Sequence, residues 1–190
     1  MAKKTPSTIG ESLYWSYANL AMMANVLSDG VEVPSKVHFM IRSKLFSGLC
    51  KGTMQVRGFF DDEKLKITLP QACWYCGSSQ KLSADHVIPQ SKGGSHGGEN
   101  LICSCRSCNS SKGSTDLLAW MEKRGQFPPL YLLRRYLKMV INHCKQNDLM
   151  ELAIPVEDKV LKELPFDLGR IPHKYPPAAE LCKFVSSVDG

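Results

Sequence analysis

The sequence contains no stretch approaching the roughly 18–20 consecutive apolar residues that a membrane-spanning helix needs. Lys3 and Lys4 are not followed by the apolar block of about 7–15 residues that marks a secretory leader. A cytoplasmic location with no membrane partner is therefore expected, and with it reduced thiols. Internal repeats and low-complexity blocks are also missing, which excludes solenoids and linker arrays. Acidic residues are in the minority, 18 against 24 Lys and Arg, for a formal net charge of +6. The positive excess lies within residues 1–150, while 151–190 are net acidic. A basic surface suits a polyanion such as nucleic acid, but an excess this small is weak evidence alone. Hydrophobic residues at 43% and charged residues at 22% are ordinary for a globular chain of 190 residues.

Cysteine is plentiful. Four of the eight cysteines form two Cys-x-x-Cys pairs, Cys73/Cys76 and Cys105/Cys108. In a reducing compartment that spacing argues for a metal before a disulfide. Gly77 after the first pair permits a tight knuckle, and four thiolates around one ion make a closed, structural Zn²⁺ site. Cys103 is an alternative to Cys105, less favoured because only Cys105 gives the paired spacing with Cys108. Cys50, Cys144 and Cys182 read as small core residues.

Hydrophobic spacing predicts a helix over 11–27, with Leu13, Tyr17, Leu20, Ala24 and Leu27 on one face. A second helix starts behind Ser35 as N-cap, with Val37, Ile41 and Leu45 inward, and is weakened and ended by Gly48 and Gly52. Leu65, Ile67 and Leu69 alternate with polar residues and predict a short strand leading into the cysteines. A short helix is expected from Asp116 to Arg124 and a long one over 130–146. The long helix carries an apolar stripe of Leu133, Leu137, Val140 and Cys144 and a basic side of Arg134, Arg135 and Lys138. That basic side is either a solvated face or faces DNA. A short helix near 156–163 and an extended Pro-rich tail follow.

The fold class expected is α+β and mostly helical. A helical region at 1–70 is followed by a metal-stapled module at 71–114, helices at 115–165 and the tail at 166–190. The module holds five of the eight cysteines and two of the five histidines. Its apolar runs are too short for a normal core without a metal staple.

Between the cysteine pairs lie Asp85-His86-Val87-Ile88-Pro89, a Gly-Gly loop and Asn100-Leu101. Asn109 follows the second pair directly, and Lys112-Gly113 lie just beyond. In order and spacing this segment resembles the His-Asn-His (HNH) endonuclease motif over about 40 of the 190 residues. The flanks carry no comparable match. The resemblance implies a β-hairpin packed on a helix with one divalent ion between them, a ββα-metal module. Asp85 and His86 would end the first strand, Asn100 begin the second, and Asn109 lie on the helix.

It implies a DNA endonuclease leaving a 5′-phosphate and a 3′-hydroxyl. Asp85 and Asn109 would offer oxygen ligands to Mg²⁺ or Mn²⁺, hard cations that keep several waters. His86 would take the proton from the attacking water, and Asn100 would hold the loop that fixes the imidazole. Lys92, Arg106 and Lys112 are candidate phosphate contacts. His96, among glycines, is expected to be mobile. Taken singly, Asp85, Asn100 and Asn109 read better as turn residues and His86 as a structural histidine. Their joint spacing favours the nuclease. Two alternatives stand beside it: a zinc-stabilised nucleic-acid-binding module that does not cut, and a partner-controlled effector subunit of a defence system. Either a second protein subunit or a homodimer fits the latter.

Overall fold

The computed structural model describes residues 6–156 and 158–182. It is a mostly helical α+β protein around one small antiparallel hairpin. Helix α1 (Ile9–Ser28) begins where Thr8 caps it, its side chain accepting the Glu11 amide at 3.1 Å. Leu13, Tyr17 and Leu20 are buried as the spacing predicts, and so are Met22 and Val26 on the second face that the sequence also marks, together with Met23, so the helix is covered on two sides. Its first turn is tied down from behind, with Ile9 N donating to Leu152 O and Gly10 N to Met150 O.

Helix α2 (Lys36–Cys50) starts at the expected Ser35 and keeps Ile41 and Leu45 half-buried, with Leu45 against the core, but does not turn Val37 inward. Val37 is 62% exposed. His38 is buried instead, with Nδ1 accepting the Ser35 amide at 2.9 Å and Nε2 3.0 Å from Asp29 Oδ2 at the end of α1. One imidazole thus joins the cap of α2 to the end of α1. Gly48 does not stop the helix. Its missing side chain makes room for Met54, whose Cγ would lie 2.6 Å from any Cβ there.

The strand expected over residues 65–69 is not formed. Phe60–Thr68 is a helix, α3. Asp61, Asp62 and Glu63 in its first turn suit the positive end of the helix dipole. Ile67, which the strand reading needed inside, is 83% exposed. The local alternation lost to a tertiary interaction. Asp62 is buried and accepts from Lys138 Nζ at 2.5 Å and Arg134 Nε at 2.8 Å, while Glu63 pairs with Arg135 at 2.6 Å.

Strands β1 (Leu82–His86) and β2 (Leu101–Cys105) pair antiparallel from Leu82↔Cys105 to His86↔Leu101. Helix α4 (Arg106–Lys112) follows and packs back on both strands. This is the ββα unit. Helix α5 (Leu117–Lys123) is capped by Asp116, which accepts the Leu118 and Ala119 amides. Helix α6 (Leu130–Gln146) is the central rod, with Leu132, Leu133, Tyr136, Leu137, Val140, Ile141 and Cys144 fully buried.

Its basic side is neither a solvated face nor open to DNA. Arg135 and Lys138 are buried against the acids of α3. Helix α7 (Asp158–Glu163) ends the regular structure. Residues 166–182, expected as an extended tail, fold back with two short 3-10 turns and bury Phe166, Ile171, Ala178 and Leu181. The end of that expected tail, 183–190, lies outside the described residues. Among the described residues, no helix is long and apolar enough to cross a membrane.

Removing a carboxylate that compensates buried cations leaves charge stranded in low dielectric, which typically costs about 3–5 kcal/mol. Asp62→Ala should destabilise the protein on that scale in urea unfolding. Asp61→Ala, at an exposed pair with Arg57, should change stability by less than about 0.5 kcal/mol. Equal effects at the two positions would contradict the buried network.

Candidate active site and four-cysteine cluster

The first cysteine pair sits in a knuckle. Gly77 N donates to Cys73 O and Cys73 N to Ser78 O, both at 2.8 Å, and Gly77 adopts φ 78°, a left-handed conformation open to glycine. Cys105 ends β2 and caps α4, its Sγ accepting the Cys108 amide at 3.4 Å. The hairpin therefore delivers the second pair to the first. The sulphurs of Cys73, Cys76, Cys105 and Cys108 all lie within 4.8 Å of one another, and Cys76 Sγ is 3.8 Å from Cys105 Sγ. A tetrahedral ion with Zn–S bonds of about 2.3 Å sets its sulphurs about 3.8 Å apart. The donor set can thus hold a metal ion. Burial, with the other sulphurs next, pushes the Cys108 thiol far above its ordinary range, a penalty that a dication would reverse. Cys103 is paired with Ala84 across the hairpin and is not one of the four.

Strand alternation sends Asp85 and His86 to opposite faces. Asp85 is buried, and its Oδ2 accepts from Tyr75 Oη at 2.8 Å with Lys112 Nζ at 3.5 Å. Helix α4 lies across the end of β1 in register with it. Asn109 Nδ2 donates to Ala84 O at 3.2 Å and Ser83 Oγ at 3.3 Å. One turn further, Lys112 Nζ donates to His86 O at 2.7 Å. Asn109 uses its amide nitrogen in these contacts, which leaves Oδ1 as the acceptor end. A carboxylate has about four lone-pair sites, and two donors on Oδ2 leave capacity on Oδ1. One carboxylate and one carboxamide from adjoining positions of the β1–α4 seam are a hard-oxygen donor set, which fits a divalent cation that keeps its waters.

His86 is half-buried. Burial first, then the neighbouring His96, holds its imidazole below the ordinary histidine value, with Asp85 opposing. Neutral imidazole can accept a proton at pH 7.

Asn100 is 1% exposed and fully bonded. Its Oδ1 accepts Ile88 N at 2.8 Å, and its Nδ2 donates to Ile88 O and Ser95 O, both at 2.8 Å. The side chain thus closes the loop from residue 88 to 100 on itself.

The other candidates separate. Lys92 and Arg106 are exposed. Lys112, expected at a phosphate, is 1% exposed and ties Asp85 to the backbone of His86 instead. Sequence reading missed His96 as a partner of the site, since His96 Nδ1 lies 2.9 Å from His86 Nε2. It also missed Tyr75, whose place between Cys73 and Cys76 reads as spacer. Nothing in the residue pattern marked Lys66 and Arg135. Lys66 Nζ donates to Gly98 O and Leu101 O, and Arg135 Nη1 to Gly98 O and Glu99 O, so both grip the backbone around Asn100.

Residues 73–115 match the family model described as HNH endonuclease. The chain is 38% identical over 58 residues to the CRISPR-associated endonuclease Cas9 of Actinomyces naeslundii, covering 28% of this chain and 5% of that protein. It is 40% identical over 52 residues to the CRISPR-associated endonuclease Cas9 of Corynebacterium diphtheriae, covering 25% of this chain and again 5% of the relative. The chain therefore spans a small fraction of the length of these curated relatives. No solved structure matches it significantly. Residues 73–115 are thus an HNH endonuclease domain set within a larger helical body.

A Cβ at Gly94 would lie 2.0 Å from Ile88 O and 2.9 Å from Asn100 Nδ2. Backbone cannot yield as a flexible side chain does, so Gly94→Ala should break the Asn100 clasp. A loss of about 1–3 kcal/mol, as for overpacking elsewhere, and faster hydrogen exchange at the Ile88 amide are expected. At Gly93, with open space but φ 90°, alanine should cost about 1–2 kcal/mol and leave Ile88 protected. Protection at Ile88 unchanged in Gly94→Ala would show that the clasp does not depend on this approach.

Proposed function

We propose that this protein is a metal-dependent endonuclease that hydrolyses DNA phosphodiester bonds, with residues 71–114 as the nuclease module. The observation that carries this reading is the β1–α4 seam within the HNH match, where Asn109 donates to the carbonyl of Ala84 and Lys112 to the carbonyl of His86 while pairing with Asp85, so that helix α4 is tied to the strand end that carries Asp85 and His86. His86 is the general base. It takes the proton from a water aligned with the scissile phosphorus, a contribution of typically 10²–10⁴-fold. Asp85 and Asn109 hold a divalent ion, Mg²⁺ or Mn²⁺, which when bound neutralises charge on the phosphate and the departing 3′ oxygen. Asn100 keeps the loop beside His86 closed. Lys92 and Arg106, both exposed, contact phosphates along the strand. Lys112 belongs to the framework that orients Asp85, because its ammonium is buried. Cys73, Cys76, Cys105 and Cys108 hold Zn²⁺, which has no open position there and serves only to fix hairpin and helix in register. The flanking regions, 1–70 and 115–165, support the module.

The relatives suggest a second reading, in which this domain is the cutting unit of a larger assembly. Their matched stretch is only 5% of their length. That reading predicts a protein inert alone that elutes with a second polypeptide.

Purified protein should convert supercoiled plasmid to nicked or linear product with Mg²⁺ or Mn²⁺, and EDTA should stop it. His86→Ala should lower the rate by at least about 10²-fold. Plasmid that is shifted on a gel but never cut would favour the binding module instead, and cutting that survives His86→Ala would overturn the base assignment. Metal content separates the two ions. Cys76→Ser should lose its equivalent of zinc and unfold the hairpin, whereas Asp85→Ala should keep zinc and lose turnover. Zinc lost from both variants would mean that the two sites have been confused.

A further inference from the structure

The contact between His86 and His96 carries an inference that rests on the nuclease reading and deepens it. We propose that His96 is a positioning residue that fixes the tautomer of the His86 base by accepting a hydrogen bond from His86 Nε2–H. The two nitrogens are 2.9 Å apart, and the rings lie 5.1 Å centre to centre with a 32° tilt. Either nitrogen could donate if the pair stood alone. A third group decides between them. Gln90 Nε2 faces the same His96 Nδ1 at 3.1 Å. With the Gln90 amide nitrogen turned towards it as a donor, His96 Nδ1 takes the acceptor role in this proposal, its lone pair shared between two donors, and the proton of that ring sits on Nε2. An acceptor on the His96 side requires a donor on the His86 side. His86 therefore carries its proton on Nε2 and its lone pair on Nδ1, the nitrogen left to take a proton from water. In a neutral imidazole the hydrogen bond at one nitrogen selects the reactive state of the other.

The loop is built to hold this arrangement. Ser95, next to His96, is fixed through its carbonyl by Asn100 Nδ2 and through its hydroxyl by Glu99 Oε1 at 2.5 Å. Gly98 and Glu99 are gripped from behind by Lys66 and Arg135. The loop's glycines do not leave His96 loose, because its neighbours on both sides are anchored. A base oriented by a third group is the general pattern of activated nucleophile sites. Here the orienting group is a second imidazole donated by the Gly-rich loop.

The test pairs kinetics with a direct reading of the tautomer. His96→Ala should lower kcat by about 10–100-fold, the usual cost of losing a group that orients a reactive histidine, with KM for DNA and zinc content unchanged. His96→Asn, whose Oδ1 can replace the acceptor, should recover kcat to within a few-fold of the parent. In ¹⁵N spectra of the zinc-loaded parent at pH 8, His86 should show a protonated Nε2 and an unprotonated Nδ1. In His96→Ala the two shifts should move towards each other. A His86 Nε2 found unprotonated in the parent, or full kcat in His96→Ala, would overturn the proposal. If the parent cuts no DNA, the nuclease reading fails, and the ¹⁵N shifts still decide the hydrogen bond. If His96→Ala does not fold, the parent spectrum and the rate of His96→Asn decide it.

Discussion

The clasp made by the Asn100 side chain is the constraint on which the rest of this site depends. One carboxamide satisfies the amide and carbonyl of Ile88 and the carbonyl of Ser95. It does so at the point where β1 has just ended and β2 is about to begin. A two-stranded ribbon is marginal alone, and here its connection runs through fourteen residues that include two Gly-Gly pairs. Entropy would open such a loop. Three hydrogen bonds shielded from water oppose that, and the close approach of Gly94 to Ile88 O shows how tightly the turn is drawn. Without this closure neither His96 nor the end of β1 has a defined place.

The clasp is in turn held by helices that share no motif with it. Lys66 of α3 and Arg135 of α6 send their cationic ends to the carbonyls of Gly98, Glu99 and Leu101. These cations need counter-charges, which the first turn of α3 provides. Glu63 pairs with both Lys66 and Arg135, and Asp62 pairs with Arg134 and Lys138. Burial lowers the pKa of Arg135 and of Lys138, and the neighbouring acids oppose that shift in both. Buried ion pairs of this sort add little net stability over an apolar core, but breaking one partner is costly. Their value here is positional. They fix helical body and nuclease module to one another through a backbone loop, where apolar contacts would give no directional grip.

This division explains what was legible in the sequence. The cysteine cluster follows from local spacing, because metal ligands come in fixed short intervals, whereas the hairpin and the helix after it were implied by the resemblance to the HNH motif. The helices α1, α5 and α6 follow from periodicity, because each buries a stripe. What failed was set by distant partners. The strand reading of 65–69 ignored that Asp62 and Glu63 must meet α6, and only a helix brings both to it. The basic side of α6 looked solvated because its counter-charges lie more than 70 residues earlier. Lys112 looked like a phosphate ligand because its position in the motif does not reveal that the side chain turns inward. His96 looked mobile because glycines surround it, yet its position is set by the bonds of Ser95 and Asn100 rather than by its own backbone.

The two candidate ion sites stand in different relations to folding, and the reason is charge. Around the cysteines nothing cationic balances four thiolates among the described contacts, and the Cys108 thiol is driven up by burial and by its neighbours. That cluster is unfavourable as anions until a dication joins it, so its metal affinity is spent on folding the hairpin. Asp85 is different. The Lys112 ammonium already lies 3.5 Å from its Oδ2 and Tyr75 donates to the same oxygen. Two donors already compensate the carboxylate, so on the proposed reading this half of the site would form before its cation and bind it reversibly. A nuclease of the proposed kind would then keep its fold when the hard cation is scarce, its chemistry following occupancy rather than refolding.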